Sequence, residues 1–142
     1  MQISLLLAFA GMLLTLSLVL AWILGITLFY PKGALSSYIV DRRNLLRAHI
    51  DYLMMAQFLM LFALLFRQYR ITPPLWVVAA SCYGAFFNPL GFLRLALTPK
   101  TATDGESTSS APAIFPPAAA VTFASTTLGF LASVALVIRQ AM

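Results

Sequence analysis

Charge is what this chain has least of. Of its 142 residues only 9% are charged, four of them acidic, and it contains one histidine and one cysteine. A soluble domain carries roughly a quarter charged residues, so this composition does not furnish a water-facing surface. The lone Cys82 excludes an intrachain disulfide, and C-x-x-C signatures for zinc or covalent haem are absent. Zinc needs about three protein ligands, which one His and one Cys do not supply. Cys82 itself lies in an apolar run and reads as a small packing residue. Phosphate loops, paired catalytic carboxylates and a Ser–His–Asp arrangement are missing, and nothing resembles a nucleic-acid motif. The net charge of +5 reads instead as basic loops facing anionic headgroups.

What is present is apolar: 61% of the residues are hydrophobic. A bilayer core about 30 Å thick needs roughly 20 apolar residues in helix. Four segments qualify, at about 3–29, 45–66, 75–97 and 118–138. Backbone hydrogen bonds must close within each segment in lipid, which predicts an all-α fold, a four-transmembrane-helix bundle forming one membrane domain over 1–142. Ala8-Phe9-Ala10 imitates a signal cleavage site. Met1-Gln2 offers no basic n-region, however, so the first segment reads as a retained span. The second span stops at Arg67, Gln68 and Arg70, and Pro73-Pro74 makes a tight connection. Residues 98–117, rich in Thr, Ser, Pro and Ala with Asp104 and Glu106, read as a polar loop. Lys32, Arg42, Arg43, Arg47, Arg94 and Lys100 flank the odd-numbered loops, against Arg67, Arg70 and Arg139 on the terminus side. That asymmetry places the odd-numbered loops in the cytoplasm, and the chain in a cell's inner (cytoplasmic) membrane.

Candidate chemistry centres on His49, at the head of the second span, because ionisable groups at membrane depth are costly. Arg47 and Asp51 are spaced i,i+4 and are expected to pair, while His49 projects from a different face, continued by Tyr52, Leu53, Ala56 and Met60. Two readings stand. In one, His49 is hydrogen-bonded to a neighbouring helix, with Arg43 and Arg47 snorkelling to headgroups. In the other it is the axial ligand of a haem whose propionates pair with Arg43 and Arg47. The third span repeats small or polar residues at Ala80, Gly84, Asn88 and Gly91. This stripe is either a tight seam with Asn88 as interhelical glue, or a wall where a flat cofactor approaches Gly84 and the Asn88 amide orients a substrate oxygen. Tyr83 adds a phenol nearby, and Pro89 frees backbone groups. Phe58, Phe62, Phe66, Phe86, Phe87 and Phe92 are candidates for an apolar pocket or for core. Thr15, Ser17, Thr122, Ser125, Thr126 and Thr127 are expected to bond back to helix carbonyls.

The pattern Arg43-x-x-Leu46-x-x-His49-Ile50-Asp51-x-x-Met54-x-x-x-Phe58-Leu59, followed by Tyr83-Gly84-Ala85-Phe86-x-Asn88, resembles the small four-helix membrane isomerases. These are the hydroxylaminobenzene mutases and, more distantly, the styrene oxide isomerases. Leu46-Arg47-Ala48-His49 is similar to the context of the iron-ligating histidine in the latter, while Met55 stands where the family has Asn. The resemblance implies haem b with His49 on the iron, a homotrimer in the lipid bilayer, and a small apolar or aromatic substrate. Ferric iron would act as Lewis acid in a redox-neutral rearrangement: epoxide to carbonyl, or arylhydroxylamine to aminophenol. Asn88 or Tyr83 would support developing charge. The alternative is a noncatalytic haem-binding or structural membrane subunit, although one histidine does not make the bis-histidine ligation usual in electron transfer.

Overall fold

The computed structural model describes residues 1–98 and 117–142, so nearly all of the polar loop expected at 98–117 lies outside the described residues. Five helices follow one another: α1 (Gln2–Phe29), α2 (Ala34–Tyr38), α3 (Arg42–Gln68), α4 (Leu75–Leu97) and α5 (Pro117–Ala141). Among the described residues 87% are helical and none is in a strand, and four helices are long and apolar enough to cross a membrane. Only 22–39% of the most apolar stretch of each is buried within the protein, so most of that apolar surface faces outward. Trp22, Leu28 and Phe29 on α1 and Leu128 and Leu131 on α5 are exposed in this way. Water does not solvate such a surface well; lipid does.

Local chemistry sets the boundaries. Alpha-helix α1 ends where Pro31 cannot continue it, with the Tyr30 N–H donating to Ile26 O at 2.8 Å. Asp41 starts α3: its carboxylate accepts from the backbone N–H of Arg43 at 2.9 Å and of Asn44 at 3.2 Å. The helix therefore begins at Arg42, three residues before the apolar run, because a cap outweighs the low hydropathy of Arg42-Arg43-Asn44. At its other end Arg70 takes φ 52°, and Ile71 N–H donates to Phe66 O at 2.8 Å. A left-handed residue closing a helix in this way usually is glycine.

The main contact of α1 is with α3 and that of α5 is with α4, and the two pairs join along α3–α4. Leu6, Ala10, Leu13 and Leu20 of α1 and Leu45, Ala48, Tyr52, Ala56, Leu59 and Ala63 of α3 form the core, with Val78, Cys82 and Ala85 of α4. Two ties close the end where α3 begins. Val40 and Asp41 N–H groups donate to Ala96 O at 3.0 and 3.3 Å, joining the α2–α3 connection to the end of α4. Arg42 donates to Thr27 O at 2.6 Å and to Ser36 Oγ at 3.1 Å, placing a cation on the last turn of α1.

Candidate functional site

On α1, the buried stripe Leu6, Ala10, Leu13, Ser17, Leu20 recurs every three or four residues. Ser17 is its polar member, and it faces α3 at His49. Nδ1 of His49 lies 2.9 Å from Ser17 O and 3.0 Å from Ser17 Oγ, and Ser17 Oγ lies 3.1 Å from His49 O. Carbonyl oxygens only accept, so the imidazole proton sits on Nδ1 and donates to Ser17 O, while the Ser17 hydroxyl donates to His49 O. In the neutral ring this leaves Nε2 as a bare lone pair. His49 is half-buried, and no described residue bonds Nε2.

Ser17 thus departs from the expectation that it bonds back along its own helix. Fully buried against α3, its hydroxyl finds a partner across the interface instead. Thr15, Thr122 and Thr126 do bond back, to Gly11 O, Ala119 O and Thr122 O at 2.9, 2.9 and 2.8 Å. A lone serine on an otherwise apolar 3–4 stripe was the signal available in the sequence.

The other candidate residues are dispersed. Arg47 and Asp51 interact through their charges without a hydrogen bond between them: the guanidinium lies 5.9 Å from the Phe92 ring centroid and donates to Asn44 Oδ1 at 3.3 Å. Helical periodicity sets Arg47 about 200° from His49 around α3, so the two face different neighbours. Arg43 is exposed and its guanidinium bonds no described residue. Gly84 is buried at the α4–α5 seam, where a Cβ would come within 2.6 Å of Thr126 N; helix α5 fills the space a flat cofactor would need. Gly129 faces Ser81 in the same way, a Cβ there meeting Ser81 N at 2.7 Å. The seam consequently runs through Ser81, Gly84, Thr126 and Gly129, and of the expected stripe only Gly84 is fully buried in it. Asn88 is half-buried and makes no side-chain hydrogen bond, so it is not interhelical glue among the described residues. Tyr83 points outward from α4, 43% exposed, with its ring 4.7 Å from that of Phe87. Within one chain, His49 belongs to the α1–α3 interface, and Asn88, Tyr83 and Gly84 belong to α4.

Among the described residues no three His, Cys, Asp or Glu side chains cluster to hold a metal ion. A haem needs fewer protein ligands, and an imidazole whose Nδ1–H is held by a carbonyl has the donor it requires. Among the described residues the fold is all-helical, and its four long apolar helices fit a multi-pass membrane protein. Comparison with protein-family models, with curated proteins and with solved structures finds no match to this chain.

Proposed function

We propose that the protein is a haem-b-dependent membrane isomerase that rearranges a small aromatic or apolar substrate without net redox change. The observation that carries this reading is the contact of His49 Nδ1 with Ser17 O at 2.9 Å: a carbonyl only accepts, so Nδ1 is the donor and Nε2 is left to meet an iron. Bound haem, held by His49, would supply a ferric Lewis acid for an epoxide-to-carbonyl or arylhydroxylamine-to-aminophenol rearrangement. The protein's own part is to fix the imidazole, exclude water and orient the substrate. Ser17 holds the ring, and Arg43, whose guanidinium bonds no described residue, would meet a propionate. Arg47 and Gly84 are engaged elsewhere and have no part in this site within one chain. Asn88 and Tyr83, lying on α4, would reach the substrate from a neighbouring copy, in keeping with the trimer that the resemblance implies. The inner membrane is the proposed location, with the connection between α1 and α3 in the cytoplasm.

A second reading rests on the same pair. The reciprocal bonds between Ser17 and His49 close on themselves, so they also make a complete tie between α1 and α3 with no cofactor. An absorption spectrum of the detergent-purified protein separates the two. A Soret band that disappears in His49→Ala, together with a shift on adding imidazole or cyanide, supports the isomerase and justifies assays with aryl epoxides and arylhydroxylamines. A six-coordinate spectrum indifferent to added ligands supports a noncatalytic haem protein. No Soret band after haem supplementation leaves the helix tie.

A further inference from the structure

Helix α1 buries one side against α3 and leaves the other bare. Ser17, Leu20 and Thr27 lie on the buried side. At 100° per residue, Leu18, Gly25 and Phe29 fall roughly 150° away from them. With Ala21, Trp22 and Tyr30, these three line an open groove of about 580 Å³. Its floor is Gly25, where an added Cβ would meet nothing within 4 Å. Trp22 and Phe29, three residues before and four after, are its neighbours on the helix surface and stand 74% and 77% exposed. A missing side chain between two large rings makes the groove, and no described residue covers it.

The length of the groove and its polar end point to the molecule that fills it. From Leu18 to Tyr30 a helix rises about 18 Å, against about 15 Å for half of a hydrocarbon core of about 30 Å. The groove therefore runs the depth of one leaflet and ends at the headgroups. There Gly33 N–H donates to Tyr30 O at 3.0 Å, closing a turn that carries Lys32 two residues beyond the groove. Lys32 is exposed and bonds no described residue. Arg42, the other cation at the end of α1, is engaged with Thr27 O and Ser36 Oγ. Asp41, the acid nearest in the chain, is engaged in capping α3. A neighbouring helix about 10 Å wide is held off by the two rings, whereas an extended acyl chain is narrow enough to lie between them.

We propose that the groove holds one acyl chain of an anionic phospholipid, whose phosphate meets the Lys32 ammonium and the Tyr30 hydroxyl. Packing of the chain against Gly25, Trp22 and Phe29 fixes its place, and the cation selects the charge of the headgroup. A zwitterionic lipid fills the groove equally well but brings a cation of its own beside Lys32, and is disfavoured. This site lies across α1 from Ser17 and rests on neither His49 nor haem.

The test uses the full chain with Trp76→Phe, which leaves Trp22 as the one tryptophan. Trp22 lies eight residues before Tyr30, about 12 Å deeper in the leaflet, level with the middle of an acyl chain. The protein is reconstituted in phosphatidylcholine vesicles with a small, fixed fraction of lipid brominated at mid-chain, which quenches indole fluorescence on contact. Brominated phosphatidylglycerol should quench at least about twofold more than brominated phosphatidylcholine with the same acyl chains. Lys32→Gln should erase that excess, and Arg94→Gln, which removes the same charge from the same end, should keep it. Gly25→Leu fills the groove and should also erase the excess. Gly11→Leu, equally open at Cβ but about 21 Å away along α1, should not. Equal quenching by the two lipids, or none by either because protein covers the face, would overturn the assignment. So would an excess that survives Lys32→Gln or Gly25→Leu, or one that Arg94→Gln removes as fully, the mark of a diffuse field in place of a site.

Discussion

Tyr52 is fully buried, and its hydroxyl donates to Phe86 O, in the turn of α4 that precedes Pro89. Proline has no N–H, so the carbonyl of Ala85 lacks its usual helical partner, and the chain there is held by a side chain from α3. Tyr52→Phe keeps the ring and removes the bond; a loss of about 1 kcal/mol in detergent unfolding is expected. Ser17→Ala behaves differently from His49→Ala. It removes the hydroxyl but keeps the backbone oxygen that accepts from Nδ1. Stability should fall by about 1 kcal/mol, and any haem spectrum should persist. Arg42→Ala removes a charged donor from Thr27 O at the end of α1, and a loss of about 1–2 kcal/mol should appear in the same assay. His49 stood out in the sequence because it is the single histidine of an apolar chain. Its partner did not, since a serine in a hydrophobic helix ordinarily bonds to its own carbonyls, and only the packing of α1 on α3 decides otherwise. The i,i+4 spacing of Arg47 and Asp51 does bring their charges together, but it could not show that Phe92 offers the guanidinium a face on the facing helix.

At the scale of elements, hydropathy located all four long helices, because a span of about 20 apolar residues has few other readings. The helix α3 begins three residues before the apolar span it contains, where the Asp41 cap draws three polar residues in. The small-residue stripe on α4 foretold a close approach but not its direction: Gly84 meets α5, whereas Gly91 is open. That difference is measurable. Gly84→Val drives side-chain atoms into the backbone of Thr126 and should cost about 2–3 kcal/mol or detach α5, as read by protease sensitivity of the C-terminal segment. Gly11→Ala has room, and should be neutral or stabilise by about 0.5–1 kcal/mol. Arg70→Gly should also stabilise, by about 1 kcal/mol, since only the φ of 52° at that position penalises a side chain.

The molecule as a whole is asymmetric in its polar decoration. Lys32, Arg42, Arg43, Arg47 and Arg94 gather at the end where α3 begins and α4 finishes, and Arg67, Arg70 and Arg139 mark the other. With Cys82 buried and 7% exposed, single cysteines report topology cleanly after Cys82→Ala. In intact cells, Arg70→Cys should react with an impermeant maleimide, and Lys32→Cys should react only after the membrane is opened. The reverse pattern would invert the orientation. The tie from Val40 and Asp41 to Ala96 O has a consequence for how the chain is made. A ribosome that has delivered α1 to α3 has delivered every atom of the Ser17–His49 link, but the acceptor for Val40 and Asp41, Ala96 O, lies more than fifty residues beyond them in the chain. The α1–α3 tie thus needs nothing from later in the chain, whereas the end at Val40 and Asp41 is closed only once α4 is in place.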